Sequence, residues 1–222
     1  MNTLLLRLVA PLQSWGTQSR FTVRDTGLEP SKSGVIGLIC CALGRPRFDP
    51  LDDLASLRMG VRVDREGTMQ RDYHIAQDVL EAKGKGTKGS IPSNRYYLSN
   101  AAFLVGLESN DGTLLSTIQA ALQNPVWAIF LGRKAFPPSA PVWLKDGLRT
   151  GVTLEKALGE YGWICRWNGD SSPLSVRLVL EDVNGEQART DVPISFAERR
   201  FSSRRVATRL IPAPNHHAEE VF

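Results

Sequence analysis

Residues 31–44, SKSGVIGLICCALG, carry the pattern on which the fold turns. Val35, Leu38, Ile39, Ala42 and Leu43 fall at i, i+3, i+4, i+7 and i+8, one face of an α-helix. Ser31 supplies an N-cap hydroxyl and Gly44 the residue that closes such a helix, so the spacing predicts a helix over 32–43. Gly34 and Gly37 lower its propensity and mark places of close packing or close ligand approach. Upstream, residues 3–10 (TLLLRLVA) read as a buried first strand ended by Pro11, and a loop of Gly, Ser, Thr and Gln joins the two. Downstream, 51–57 reads as a short helix, and 59–65 (MGVRVDR) alternates like a half-buried strand.

Residues 81–94 (EAKGKGTKGSIPSN) break the pattern. Ile91 is their only large apolar side chain, so they cannot pack a core and read as an exposed arm or hairpin tip. A strand is expected over 96–107, a helix over 113–122 stopped by Asn124-Pro125, and a strand over 127–131 (WAIFL). A turn or two of helix is expected over 154–158. Strands follow over 162–167, 174–183 and 206–211, with Asn184-Gly185 as a hairpin signal. Up to residue 131 the order is strand, helix, strand, arm, strand, helix, strand. That is the split βαβ pattern of an α+β, ferredoxin-like or RNA-recognition-motif (RRM-like) fold. Its sheet face is a common platform for single-stranded RNA, although many unrelated functions share the pattern.

With 222 residues, 42% hydrophobic and 23% charged, the chain is an ordinary globular domain with room for a small insertion, and wholesale disorder is excluded. Three cysteines are too few, and odd in number, for a disulfide framework, and point to a reducing cytoplasmic setting. Arg7 interrupts the apolar N-terminus and no cleavage site follows, so no signal peptide is expected. No apolar run has the length of a membrane span. The net charge of +4 is unevenly distributed: residues 30–48, 82–107, 112–145 and 199–218 contain no Asp or Glu and together carry +15, leaving −11 on the remainder. Basic segments on an acidic frame can present a local positive face to a polyanion, or be solvated loops.

No Walker loop, Cys-x-x-Cys pair or His-Glu-x-x-His motif occurs. His216 and His217 precede Glu219 and Glu220, but such a string is an ordinary polar tail, and no metal or cofactor is expected. Tyr73-His74 has the residue types of an acid/base pair for RNA cleavage, with a lysine such as Lys83 to stabilise the phosphorane. No third group to orient them is visible, and a hydrogen-bonded or base-stacking pair fits better. Pro30-Ser31-Lys32-Ser33-Gly34 brings hydroxyls, a lysine and N–H groups to a helix start, where a phosphate can sit; the same residues serve equally for plain N-capping. Leu131-Gly132-Arg133-Lys134 puts two cations beside a permissive glycine. In 198–205 (ERRFSSRR) guanidiniums flank one aromatic, and arginine binds phosphate bidentately or stacks on bases. Trp15 and Phe21 have rings fit for stacking, Trp15 being equally a core residue.

In order along the chain, LLLRLVAPLQSWG at 4–16, PSKSGVIGL at 30–38, Arg71-Asp72-Tyr73-His74, Arg95-Tyr96-Tyr97-Leu98 with Ala101 and Phe103, Leu131–Lys134 with Pro137, and 201–205 resemble the Cas-five family, the CasD-type subunits of type I-E CRISPR surveillance complexes (Cascade). The resemblance spans about residues 4–211. It implies a repeat-associated (RAMP) RRM-like core over 1–72 and 98–222, extra C-terminal strands, and a β-hairpin "thumb" inserted at 73–97. It further implies a non-catalytic subunit that caps the 5′ handle of the crRNA and contacts the large subunit CasA and the backbone subunit CasC. On this resemblance Gln13, Trp15, Ser31, Lys32, Ser33, Arg71, His74, Arg95, Arg133, Lys134, Arg199, Arg200 and Arg204 are the expected RNA-binding residues. Lys83, Lys85 and Lys88 would lie along the guide–target DNA duplex. Type I-C relatives cut the repeat RNA themselves, which leaves a metal-independent endoribonuclease as the alternative.

Overall fold

The structure is a computed structural model that describes residues 1–18, 22–81, 84, 86–167 and 172–218, with the side chain of Lys88 outside that description. Among these residues the elements are β1 (Asn2–Val9), β2 (Leu12–Gln13), β3 (Val23–Arg24), α1 (Lys32–Leu43), α2 (Asp52–Ala55), β4 (Arg58–Arg65), β5 (Thr68–Leu80), β6 (Thr87–Ser99), β7 (Ala102–Ser109), α3 (Gly112–Gln123), β8 (Trp143–Thr150), α4 (Leu154–Glu160), β9 (Ser175–Glu181), β10 (Gln187–Ser195) and β11 (Arg200–Pro212).

β1 lies between β7 and β8, and β4 pairs with the far side of β7, all antiparallel. The order β8-β1-β7-β4, with α1 leading from β1 to β4 and α3 from β7 to β8, is the ferredoxin-like arrangement expected from the split βαβ pattern. α1 has the anticipated bounds. Ser31 Oγ accepts the Gly34 N–H, and Gly44, at φ 70°, ends the helix.

Alternation along β1 divides its side chains between two cores. Leu4, Leu6 and Leu8 pack with α1 and α3; Leu5 and Val9 pack with α4. Gly60 and Gly106 sit opposite each other on β4 and β7, and both lie under α4. A Cβ at Gly60 would fall 2.7 Å from Leu158 Cδ1, and one at Gly106 2.5 Å from Leu154 Cδ1. The two bare positions let α4 rest on the sheet. The C-terminal carbonyls of α4 and the turn after it are taken by the buried Arg62. Its Nη1 donates to Leu158 O (2.7 Å) and Tyr161 O (2.5 Å), and its Nη2 to Gly162 O (2.8 Å). Asp64 neutralises this guanidinium at 2.6 and 2.9 Å. The sheet face that an RNA-recognition motif offers to RNA is thus covered by a helix here.

Three strands extend the sheet beyond β4, giving the order β10-β11-β9-β4-β7-β1-β8. Asn184-Gly185 does turn the chain, with Gly185 N–H donating to Asp182 O. It does not join neighbours, however, because β11 inserts between β9 and β10.

Other expectations are corrected. Residues 127–131 form no strand: the N–H groups of Val126 and Trp127 donate to Ala42 O and Cys41 O at the end of α1, and that of Leu131 to Phe136 O. The closing strand of the ferredoxin unit is β8 instead, whose polar sequence (WLKDGLRT) hid it. The strand expected over 96–107 is two strands, broken at Asn100, which adopts φ 56°. The arm is longer than its glycine- and lysine-rich part, because β5 and β6 pair from Thr68↔Ser99 to Leu80↔Thr87. Residues 162–167 contribute only the bridge Trp163↔His217. No helix among the described residues is long and apolar enough to cross a membrane.

Gly106→Ala should overpack the sheet against α4. We expect a loss of about 1–3 kcal/mol in urea unfolding; unchanged stability would mean that α4 is free to shift.

Candidate nucleic-acid interface

A second, smaller sheet carries the hairpin. β6 is its centre, with β5 and β2 antiparallel to it and β3 parallel. Its base is anchored by buried polar groups. Gln13 Nε2 donates to Leu8 O (3.1 Å) and Ala101 O (2.9 Å), and its Oε1 accepts from Trp15 Nε1 (3.2 Å). Both side chains are buried, so Gln13 and Trp15 anchor the base of the interface, and Trp15 also lines a cleft there. The next residue, Ser14, meets the glycine loop: its N–H donates to Leu131 O at 3.1 Å. Gly132, at φ 92°, lies so close that a Cβ would stand 1.7 Å from Ser14 O. No other residue fits there.

Where hairpin base, glycine loop and α1 meet, they enclose an open cleft of about 510 Å³. Three guanidiniums line it, from Arg24, Arg95 and Arg133, with the hydroxyls of Ser31 and Ser33 and one carboxylate, Asp25. Arg133 donates to Tyr96 O at 2.7 Å and lies 5.4 Å from the Phe136 ring centroid. Its pKa is lowered, first by burial and then by the charge of Arg95, with Arg24 adding to the effect and Asp72 and Asp25 opposing it. The guanidinium stays charged. Positive charges held this close in a partly dry cleft form a site that an anion relieves.

At the start of α1 the hydroxyls of Ser31 and Ser33 line the cleft, but the ammonium of Lys32 does not. Lys32 is 1% exposed, and its Nζ donates to Glu181 Oε1 and Oε2 at 3.1 and 3.0 Å. Its N–H goes to Asp191 Oδ2 at 2.8 Å. Arg204, likewise expected on RNA, donates to Asp191 at 2.7 and 2.9 Å and is buried. Lys32 and Arg204 therefore hold α1 to the C-terminal strands, and Asp191 already supplies the helix start with its anion. Ser31 acts as the plain N-cap.

The remaining candidates are scattered. On the hairpin, Asp72, His74, Arg95 and Tyr97 share one face, and Tyr97 packs on Phe136 of the glycine loop. Arg71, Tyr73 and Tyr96 occupy the opposite face, so Arg71 is turned away from the cleft while His74, hydrogen-bonded to Asp72, is on its side. Lys134 and Arg199 are exposed, and Arg200 is exposed and paired with Glu198 at 2.5 Å. Lys83 and Lys85, the Lys88 side chain, Phe21, Glu219 and Glu220 lie outside the described residues. Among the described residues no three His, Cys, Asp or Glu side chains gather as a metal site. One contributor escapes the sequence reading, Arg24, because its strand of two residues is too short for any periodicity; Phe201, the aromatic of 198–205, is a second lining residue.

Burial opposes ionisation of Asp191, but Arg204 and the Lys32 N–H outweigh it and hold the carboxyl below its ordinary range. Stability from such a group is complete above the unfolded value of about 3.9 and is lost as pH falls through the lower folded one. Asp191→Asn should be less stable at neutral pH and show a flatter loss of stability below about pH 4 than the unaltered chain. Lys32→Ala should lose about 3 kcal/mol. Equal acid slopes and an unchanged melting point would remove these residues from the framework.

A profile of the family described as CRISPR-associated protein (Cas_Cas5) matches residues 3–207. The CRISPR system Cascade subunit CasD of Escherichia coli (strain K12) is 32% identical over 219 residues, covering 90% of this chain and 92% of that one. A solved structure described as a crystal structure of a Cas protein is 44% identical, with a TM-score of 0.77 over 96% of this chain and 97% of its own. A chain of a CRISPR RNA-guided surveillance complex is 34% identical, with a TM-score of 0.80 over 96% and 91%. With the profile running through both sheets, this chain belongs to the Cas5 family of CRISPR-associated proteins.

Proposed function

We propose that this chain is a crRNA-binding subunit of a Cascade-type surveillance complex in antiviral defence, and that it holds the 5′ handle of the crRNA in the cleft of Arg24, Arg95 and Arg133. The observation that carries the proposal is this convergence of three guanidiniums and one carboxylate at the hairpin base of a Cas5 chain. Guanidiniums grip phosphates bidentately, and a backbone-reading site of this kind positions an RNA whatever its sequence. The hairpin, with strands of 13 residues each, is the thumb that reaches the guide–target DNA duplex. CasA and CasC are the protein partners, and the three free cysteines suit a reducing cytoplasm.

The role is one of binding and not of cleavage. Tyr73 and His74 are consecutive on β5 and so point to opposite faces of the hairpin. That separation speaks against their joint action on one scissile phosphate and supports the binding reading over the endoribonuclease alternative.

Arg95→Ala and Arg133→Ala should each weaken RNA binding and lower the slope of log affinity against log salt by somewhat under one. Repeat RNA incubated with the chain should stay intact with or without divalent metal. Unchanged salt slopes would move the RNA elsewhere, and site-specific cleavage abolished by His74→Ala would restore the nuclease.

Replacing residues 81–86 by a short Gly-Ser link should leave the melting point and handle binding nearly unchanged, because a Cβ at Gly84 or Gly86 would meet nothing within 4 Å and the backbone hydrogen bonds of both glycines are to Glu81, inside the replaced segment. The assembled complex should then bind complementary DNA more weakly. Normal DNA binding would deny the hairpin its role as the thumb.

A further inference from the structure

The arginine cleft does not end at α1. It opens into a groove of about 690 Å³ beside that helix, and Ser33, Gly132, Phe196 and Phe201 line both. The character of the lining changes along the way. The cleft is cationic and polar; the groove is walled by Trp127, Phe130, Phe196 and Phe201, with Arg45, Arg47 and Arg199 among its lining residues. Two of these rings are unusually open for their size, Trp127 at 46% exposure and Phe201 at 37%. Phe201 stands where three cavities meet: the cleft, the groove, and a third of about 1020 Å³ between the 15–31 loop and the C-terminal strands. It is steadied by an edge contact to Phe196, with centroids 6.4 Å apart and planes at 65°. Arg199, in the turn that delivers Phe201 to the groove, adopts φ 53°, a conformation uncommon outside glycine.

We infer that this groove takes one unstacked nucleobase of the bound RNA, with Phe201 as the ring on which it stacks. The inference rests on the RNA-binding reading of the cleft and goes beyond it, from backbone capture to base capture. A base is a flat apolar body with a polar edge, tethered to a phosphate. The cleft holds phosphates; the groove, one continuous step away, offers aromatic faces, with the hydroxyls of Thr17 and Ser33 available to a base edge. Arg45 is paired with Asp53 at 2.8 and 2.6 Å, and the other two cations of the rim, Arg47 and Arg199, favour an occupant attached to a polyanion over a basic peptide. Every base has a π-face, so stacking on Phe201 tolerates any sequence, and specificity for one base would come from the edge contacts.

The test uses the full chain and a set of short single-stranded RNAs, each carrying a fluorescent adenine analogue at one successive position. One position should lose its fluorescence on binding, reporting a stack. Phe201→Ala should abolish that signal and weaken binding roughly tenfold, with the salt slope unchanged because no phosphate contact is lost. Phe201→Trp should restore both; Phe201→Leu, which keeps the apolar bulk, should not. Phe201 is partly exposed, so the melting point of these variants should barely move, and circular dichroism checks it. No quenched position, or equal affinity of Phe201→Ala and the unaltered chain, overturns the inference while the steep salt dependence keeps the cleft as the RNA site. Absence of RNA binding by the unaltered chain overturns both. Full activity of Phe201→Leu reduces the ring to packing and likewise overturns the stack.

Discussion

Lys32, Glu181, Asp191 and Arg204 form a buried ionic cluster on which the position of the proposed RNA site depends. The first helical residue of α1 gives its ammonium to β9 and its N–H to β10, and β11 neutralises the same Asp191. Charges taken from water are costly unless each finds its partner in good geometry, and removal of any one leaves the others stranded. The cluster therefore tolerates a single arrangement of α1 against the C-terminal strands. The cleft and groove run between these two parts, since Ser33 and Gly34 of α1 face Phe201 of β11 across them. Lys32 and Arg204, two of the residues expected on RNA, spend their charge holding this frame.

The opposite face of the sheet is closed by equally specific means. Paired glycines on β4 and β7 admit the leucines of α4, and Arg62 satisfies the carbonyls where that helix ends. With that face of the RAMP-type core closed, the proposed RNA site lies at the margin of the sheet, where hairpin base, glycine loop and α1 converge. The margin is rigid because backbone meets backbone there: Gly132 against Ser14, and β2 and β3 against β6. Three long, flexible arginine side chains on such a base lose less freedom on binding than they would on a mobile loop. The hairpin itself extends from this anchored base into solvent, with Met69, Tyr73 and Ile75 exposed along one strand.

Much of this protein was legible in one dimension. The periods of residues 3–10, 32–43, 59–65 and 113–122 specified the ferredoxin-like half, because a buried face repeats every 3.6 residues in a helix and strands announce themselves by apolar runs or alternation. The ordered motifs from residue 4 to 205 carried the family. Tertiary structure alone decided the rest. β8 is a strand because β1 needs a partner along its free edge, not because WLKDGLRT looks like one, and residues 127–131 are not a strand because the N–H of Trp127 is drawn to the end of α1 and that of Leu131 to Phe136 O. Lys32 and Arg204 are structural while Arg95 and Arg133 face the cleft. A cation's sequence neighbours say nothing of whether a carboxylate more than a hundred residues away, as Glu181 is from Lys32, will be folded against it.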